Sequence, residues 1–137
     1  MKFVMRQSFL FLVVLFVFAA SCGKPRVQKL SERADSYNRA LRWSSITAAS
    51  TLIAEDVRRS VIQDLLQKIG RNRIVDYSIV DLGVDPEEIK ASILVEFSYY
   101  GISDQDLKYR QEVQNWAWDS RQRDWFLRES RDLPAPK

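Results

Sequence analysis

The sequence predicts an α+β domain in which N-terminal helices, one long and two shorter, pack on a curved antiparallel sheet of about four strands. Three observations carry this. Apolar residues recur at spacings of three and four from Val27 to Ile69. Beyond Arg73 the period switches to two. Turn residues then divide the alternating part into long segments, with Asp85-Pro86-Glu87, Gly101 to Asp106 and Ser120 to Arg123 between them.

The chain opens with Lys2 and Arg6 ahead of an unbroken apolar run, Phe9 to Ala20. As a helix this run reaches about 18 Å, against a hydrocarbon core of roughly 30 Å. It therefore reads as the apolar region of a signal peptide, with the basic residues retained on the cytoplasmic side. Residues 1–21 are assigned to this leader and 22–26 to a short tether. A single domain takes 27–132, and 133–137 form a frayed tail. With the leader removed, the remaining length sustains one hydrophobic core.

Val27, Leu30, Ala34, Tyr37 and Leu41 form one apolar stripe among charged residues, giving a helix to about Trp43. Pro25 suits its first turn. Ser44-Ser45 interrupts the pattern, and Ile46 to Ile53 reads as a short second helix. In the third, Val57, Val61, Ile62, Leu65, Leu66 and Ile69 share a face, with Glu55-Asp56 opening the helix and Gly70 stopping it.

The first strand covers Ile74 to Val84, with Val75, Tyr77 and Ile79 on one side and an irregularity near Val80 to Gly83. Ile89, Ala91, Ile93, Val95, Phe97 and Tyr99 then alternate without error, the clearest strand in the chain. Leu107 to Asp119 is the third strand. Its apolar parity changes between Val113 and Trp116, which predicts a bulge around Gln114-Asn115. Trp125 to Arg128 closes the sheet.

Composition narrows the chemistry. There is no histidine, which removes Ser-His-Asp and Cys-His triads and imidazole proton shuttles, and the one cysteine is Cys22. A general acid or base would be a carboxylate, Lys or Tyr. The precursor carries a net charge of +3, which falls to about +1 without Lys2 and Arg6 and gives no footprint for nucleic acid. No cofactor motif, metal constellation or phosphate loop is present. Gly70, Gly83 and Gly101 read as a cap, a bulge and a turn.

Ala19-Ala20-Ser21-Cys22 resembles the lipobox of bacterial lipoproteins, with Ala19 standing where Leu is usual. The resemblance implies cleavage between Ser21 and Cys22 and diacylglycerol on the Cys22 sulfur, a position suited to a thiolate nucleophile. It also implies a second acylation at the new amino group, and several acyl chains anchor far more firmly than one. Gly23 after the cysteine implies passage to the outer membrane, facing the periplasm, rather than retention in the inner one.

The order of elements, with Tyr37-Asn38, Leu41-Arg42-Trp43 and Trp116-Ala117-Trp118 through to Trp125, resembles the nuclear transport factor 2-like cone, also called cystatin-like or SnoaL-like. An outer-membrane assembly lipoprotein of the helix-helix-three-strand type is the rival architecture. The cone implies an interior pocket that Tyr37, Trp43, Phe97, Tyr99, Trp116, Trp118 and Trp125 would line, unless they are simply core. The strand carboxylates Asp76, Asp81, Glu96, Glu112 and Asp119 read as solvated surface. Arg39, Arg42, Arg58, Arg59, Arg71 and Arg73 read as solubility charges, with a basic face towards lipid headgroups as the alternative.

The expectation is an envelope-anchored lipoprotein whose domain binds a protein or a small apolar ligand without catalysis. The alternatives are a cone-fold enzyme using a pocket carboxylate and tyrosines, and an accessory subunit of an outer-membrane assembly or transport complex. Partners would be the membrane, through lipid on Cys22, and an envelope protein or a second copy of the chain.

Overall fold

The structure is a computed structural model and describes residues 23–134. The leader, the Ser21–Cys22 cleavage position, the lipidation residue Cys22 and the last three residues lie outside the described residues. Among the described residues three helices, α1 (Arg26–Arg42), α2 (Ile46–Ser50) and α3 (Arg58–Arg71), precede four strands, β1 (Asn72–Val84), β2 (Lys90–Gly101), β3 (Leu107–Asp119) and β4 (Asp124–Asp132). The strands form one antiparallel meander in the order β1-β2-β3-β4. This is the predicted α+β fold, a curved, unclosed sheet with the helices on its inner face. Among the described residues no helix is long and apolar enough to cross a membrane.

The stripe on α1 buries Leu30, Ala34, Tyr37, Asn38, Ala40 and Leu41 against the sheet. Ser44, in the left-handed region at φ 55°, turns the chain out of α1. Ser45 then caps α2 by accepting the Ala48 N–H at 3.3 Å. The predicted second helix stops at Ser50, because Leu52 to Ala54 is used against β4 instead. Leu127 N–H donates to the Leu52 carbonyl, and Ala54 N–H donates to the Leu127 carbonyl, both at 2.9 Å.

Glu55 and Asp56 lie in the turn before α3 rather than in its first turn. The Asp56 carboxylate is taken by Arg128, at 2.5 and 2.8 Å. Nor does Gly70 stop α3. It is helical, and the helix ends where Asn72 begins to pair with Gly101. The Arg71 carbonyl accepts the Ile102 N–H at 3.0 Å, so sheet formation terminates the helix.

Register slips between Ile74 and Asp76 and between Ile79 and Asp81 leave Val75 and Val80 as extra residues in β1. The second is the irregularity expected near Val80. The first corrects the expected face: Ile74, Tyr77, Ile79, Leu82 and Val84 pack on the core, and Val75 is exposed. Against β2, β3 runs without a slip from Leu107 to Ala117. The irregularity expected around Gln114-Asn115 falls between Asn115 and Trp116 in the β3–β4 pairing, and Arg128 of β4 is the extra residue. Bulges on both edge strands increase twist and bend the sheet around the helices.

Candidate functional site

β3 determines what lies inside the cone. Every second residue from Glu112 faces the helices: Glu112, Gln114, Trp116 and Trp118. The apparent parity change in its apolar residues has a simple cause. Two inward positions hold polar side chains, while Val113 points outward opposite Leu94. Glu112, expected at the surface, is 1% exposed.

A polar ladder crosses the core from α1 to the outer strands. Asn38 Nδ2 donates to Gln114 Oε1 at 3.2 Å, and Gln114 Nε2 returns a bond to Asn38 Oδ1 at 2.7 Å. Asn38 also donates to the Ala34 carbonyl at 2.8 Å. Gln114 Nε2 reaches Glu112 Oε1 at 3.4 Å, and the Ser130 hydroxyl donates to the same oxygen. On the other carboxylate oxygen, Lys68 Nζ approaches to 3.6 Å and Arg110 Nη2 to 4.0 Å. Both cations are shared with Asp132, at 3.0 and 3.8 Å. Arg110 also lies over the Phe97 and Tyr99 rings, 5.2 and 5.0 Å from their centroids.

These groups close the mouth of the cone. The cavity left among Leu41, Leu65, Ile69, Ile74, Arg110 and Glu112 measures about 10 Å³, roughly the space of one water. Two donors within the core, Tyr37 Oη and Trp116 Nε1, have no protein partner. Their rings meet edge to face at 5.9 Å.

The proposed pocket residues divide into three groups. Tyr37, Phe97 and Trp116 are buried together in the core, with Tyr99 half-buried under Arg110. Trp118 lies at the other end of β3 against Trp125, with centroids 5.7 Å apart, and Arg26 sits 4.5 Å above its ring. Trp43 belongs to neither group. It is 73% exposed, with Arg42 over its ring, because it lies two residues beyond Leu41, which turns it roughly 200° from the buried stripe.

Asn38, Gln114 and Lys68 were not anticipated as site residues. Their signal was phase: Asn38 lies four residues after Ala34, and Gln114 two before Trp116. Of the arginines, Arg39 pairs with Asp35, Arg42 with Asp76 at 3.7 Å, and Arg58 donates to the Ile53 carbonyl at 3.1 Å. Among the described residues no cluster of three or more His, Cys, Asp or Glu side chains could hold a metal ion.

Outside the core, a depression of about 810 Å³ is open to solvent at the β3–β4 hairpin and is lined by Asp56, Trp118, Arg121, Gln122, Phe126 and Arg128, among others. Its Asp56 carboxyl is held below the usual carboxylate range, chiefly by the hydrogen bond from Arg128.

Burial, assisted by the negative charge of Glu112, pushes the Tyr37 phenol far above its ordinary value of 10.0. Tyr77 is also raised, by burial and then by its bond to Asp35. A raised phenol keeps its proton in the folded state after the unfolded chain has lost it. The stability it contributes is therefore complete below pH 10.0 and falls as pH rises towards the folded value. Urea unfolding at about pH 8, pH 10 and pH 11 should show a loss that sets in above pH 10.0, the Tyr37 share of it approaching about 1.4 kcal/mol per pH unit there. Tyr37→Phe should remove part of that slope and leave the Tyr77 part; an unchanged slope would place the Tyr37 hydroxyl in water.

No family model and no curated protein matches the chain. Solved structures do match in shape. The intermembrane space region of the chloroplast protein ARC6 superposes with a TM-score of 0.55 at 7% identity, covering 82% of this chain and all of that one. A protein of unknown function with a cystatin-like fold from Nostoc punctiforme gives 0.57 at 10% identity, over 79% of this chain and 91% of its own. A candidate polyketide cyclase from Xanthomonas campestris gives 0.54 at 11% identity, over 77% and 93%. At these identities the likeness speaks for the fold alone, and the fold is the cystatin-like, SnoaL-like cone.

Proposed function

We propose that the chain is an envelope lipoprotein, cleaved before Cys22 and anchored through lipid on that residue, whose cone serves as a non-catalytic binding or scaffold domain. The observation that carries the non-catalytic part is the small size of the cavity beside Glu112. A drug-sized ligand needs several hundred Å³, and the cone's own side chains leave about 10 Å³ at its mouth. For the enzyme alternative the carboxylate and the tyrosine would be Glu112 and Tyr37, both buried, and the cavity beside Glu112 is about the size of one water. Recognition is then a matter of the outer surface.

An observation at the far end of the domain supports an accessory-subunit role. α1 starts close after Cys22, and Trp125 Nε1 donates to the Arg26 carbonyl at 2.8 Å, holding that end against the β3–β4 hairpin. The opposite end of the sheet carries Tyr100, Ile102, Leu107 and Tyr109, all exposed. An α1 of 17 residues spans about 25 Å, so this apolar group stands away from the bilayer, where another envelope protein can reach it.

Cells expressing the full chain and fed radiolabelled palmitate should incorporate label in the wild type and none in Cys22→Ser, and the labelled protein should fractionate with outer membranes. Equal labelling of both, or an intact leader on the mature protein, would defeat the anchoring proposal. Quenching of the buried tryptophans by an apolar ligand such as palmitate would defeat the closed-interior argument.

A further inference from the structure

β4 is an edge strand, and only part of its edge is covered. The Leu52–Ala54 segment pairs with it at Leu127 and then leaves for α3. Farther along, Leu133 N–H donates to the Gln111 carbonyl at 2.9 Å. Main-chain groups alternate in direction along an antiparallel ladder. Glu129, Arg131 and Leu133 therefore turn theirs to β3, while Ser130 and Asp132 turn theirs to the open edge. Among the described residues no group bonds to these outward donors and acceptors. Beside this stretch a cleft of about 140 Å³ separates β4 from α3, with Val57, Val61 and Leu65 on its helix side.

The open stretch reads Arg128-Glu129-Ser130-Arg131-Asp132, and its charges are antisymmetric about the middle residue. When a second copy is laid antiparallel with the two Ser130 residues opposite each other, Glu129 meets Arg131 of the other copy on both sides of the two-fold axis, while Arg128, the extra residue of the β4 bulge, stands outside this register. Both of these charges then face their opposites. We propose that the chain forms a two-fold dimer by pairing β4 with β4 of a second copy, centred on Ser130, so that one sheet runs through both.

Three features agree on this register. Ser130 presents its main chain outward, as the central hydrogen-bonded pair requires. Glu129 and Arg131 are exposed on the face away from the helices, and relative to the new neighbour they occupy the non-hydrogen-bonded positions, where side chains come closest. On the helix side, Arg128 already holds Asp56 and Asp132 already holds Lys68, so neither brings an unpaired charge to the contact. Charges on an edge ordinarily discourage a second copy. Here the adjacent two-fold registers set Arg131 on Arg131 or Glu129 on Glu129, which leaves one register free of repulsion. The contact is isologous and closes at two copies. It goes beyond the lipid-anchor proposal and stands whether or not Cys22 is acylated.

The test uses the full chain, expressed in two differently tagged forms and recovered from membranes by mild extraction. Wild-type copies should co-purify. Glu129→Arg alone and Arg131→Glu alone each turn two attractive pairs into repulsive ones, and each should lower co-purification about tenfold or more. The double swap in one chain, and the two single variants expressed together, should both restore it. Both positions are exposed, so the circular dichroism and urea midpoint of each variant should match the wild type. Recovery unaffected by the single reversals, absence of wild-type co-purification, or failure of the double swap to restore it would overturn the dimer. Failure of the swap together with recovery of a different protein would assign the edge to an extended peptide of another chain.

Discussion

Trp116→Ala is expected to cost about 3–5 kcal/mol of folding stability, the range for removing a large aromatic from a core. Trp116 is 1% exposed. It faces Tyr37 of α1 at 5.9 Å and is flanked by Ala91 on β2 and Leu127 on β4. Those neighbours belong to α1 and two strands, and none of these elements can follow the lost volume without breaking its own register. A domain of this size has a total of about 5–15 kcal/mol to lose, so the variant should unfold at a much lower urea concentration with a nearly unchanged slope. Trp118→Ala, at a half-buried position, should cost clearly less. Equal costs for the two would contradict the assignment of Trp116 as the centre of the core.

The second large effect belongs to Glu112. Its carboxylate lies beneath Lys68, Arg110 and Ser130, and a buried ion pair that loses one partner typically costs about 3–5 kcal/mol, because the remaining charge and donors are left without compensation. Glu112→Leu should fall in that range by urea unfolding. The informative measurement is a double-mutant cycle with Lys68→Met. Once the carboxylate is gone, removing the cation should cost at least about 1 kcal/mol less than it does in the wild type. Simple additivity would mean that the 3.6 Å approach carries no coupling. The same cycle with Gln114→Leu tests whether the amide ladder and the ionic mouth act as one network.

The fold was legible in the sequence where apolar residues alone set the period. β2 is the clearest case: Ala91, Ile93, Val95 and Phe97 alternate and are buried as expected. The stripe of α1 behaves likewise. β4 was foreseen only as Trp125 to Arg128, yet it extends to Asp132. Its second half pairs Ser130 with Gln114 and Asp132 with Glu112, so polar residues continue the ladder and apolar periodicity gives no signal. The ends of α3 were misplaced for a related reason. Asp56 bonds to Arg128, distant in sequence, and Gly70 is overridden by strand pairing that starts at Asn72.

The candidate site was legible only in part. Tyr37, Phe97 and Trp116 were named as interior residues and lie together in the core, as large apolar surface in phase with a buried face requires. Trp43 was placed with them on residue type, and helix geometry sends it to solvent. Glu112 and Gln114 were lost to the opposite error, since a polar side chain on an inward position reads as a change of parity.

By itself the sequence determined the class of fold, the order of its elements, the faces set by helical and strand periods, and the exclusion of histidine chemistry and of disulfides within these 137 residues. These follow from local geometry and composition. Only the tertiary structure decided that the cavity beside Glu112 shrinks to about 10 Å³, that Glu112 is held inside by Lys68 and Arg110, and that half of one strand edge is left open among the described residues. Those outcomes depend on which side chains from distant parts of the chain meet and remove each other from water, and no spacing along the chain encodes that meeting.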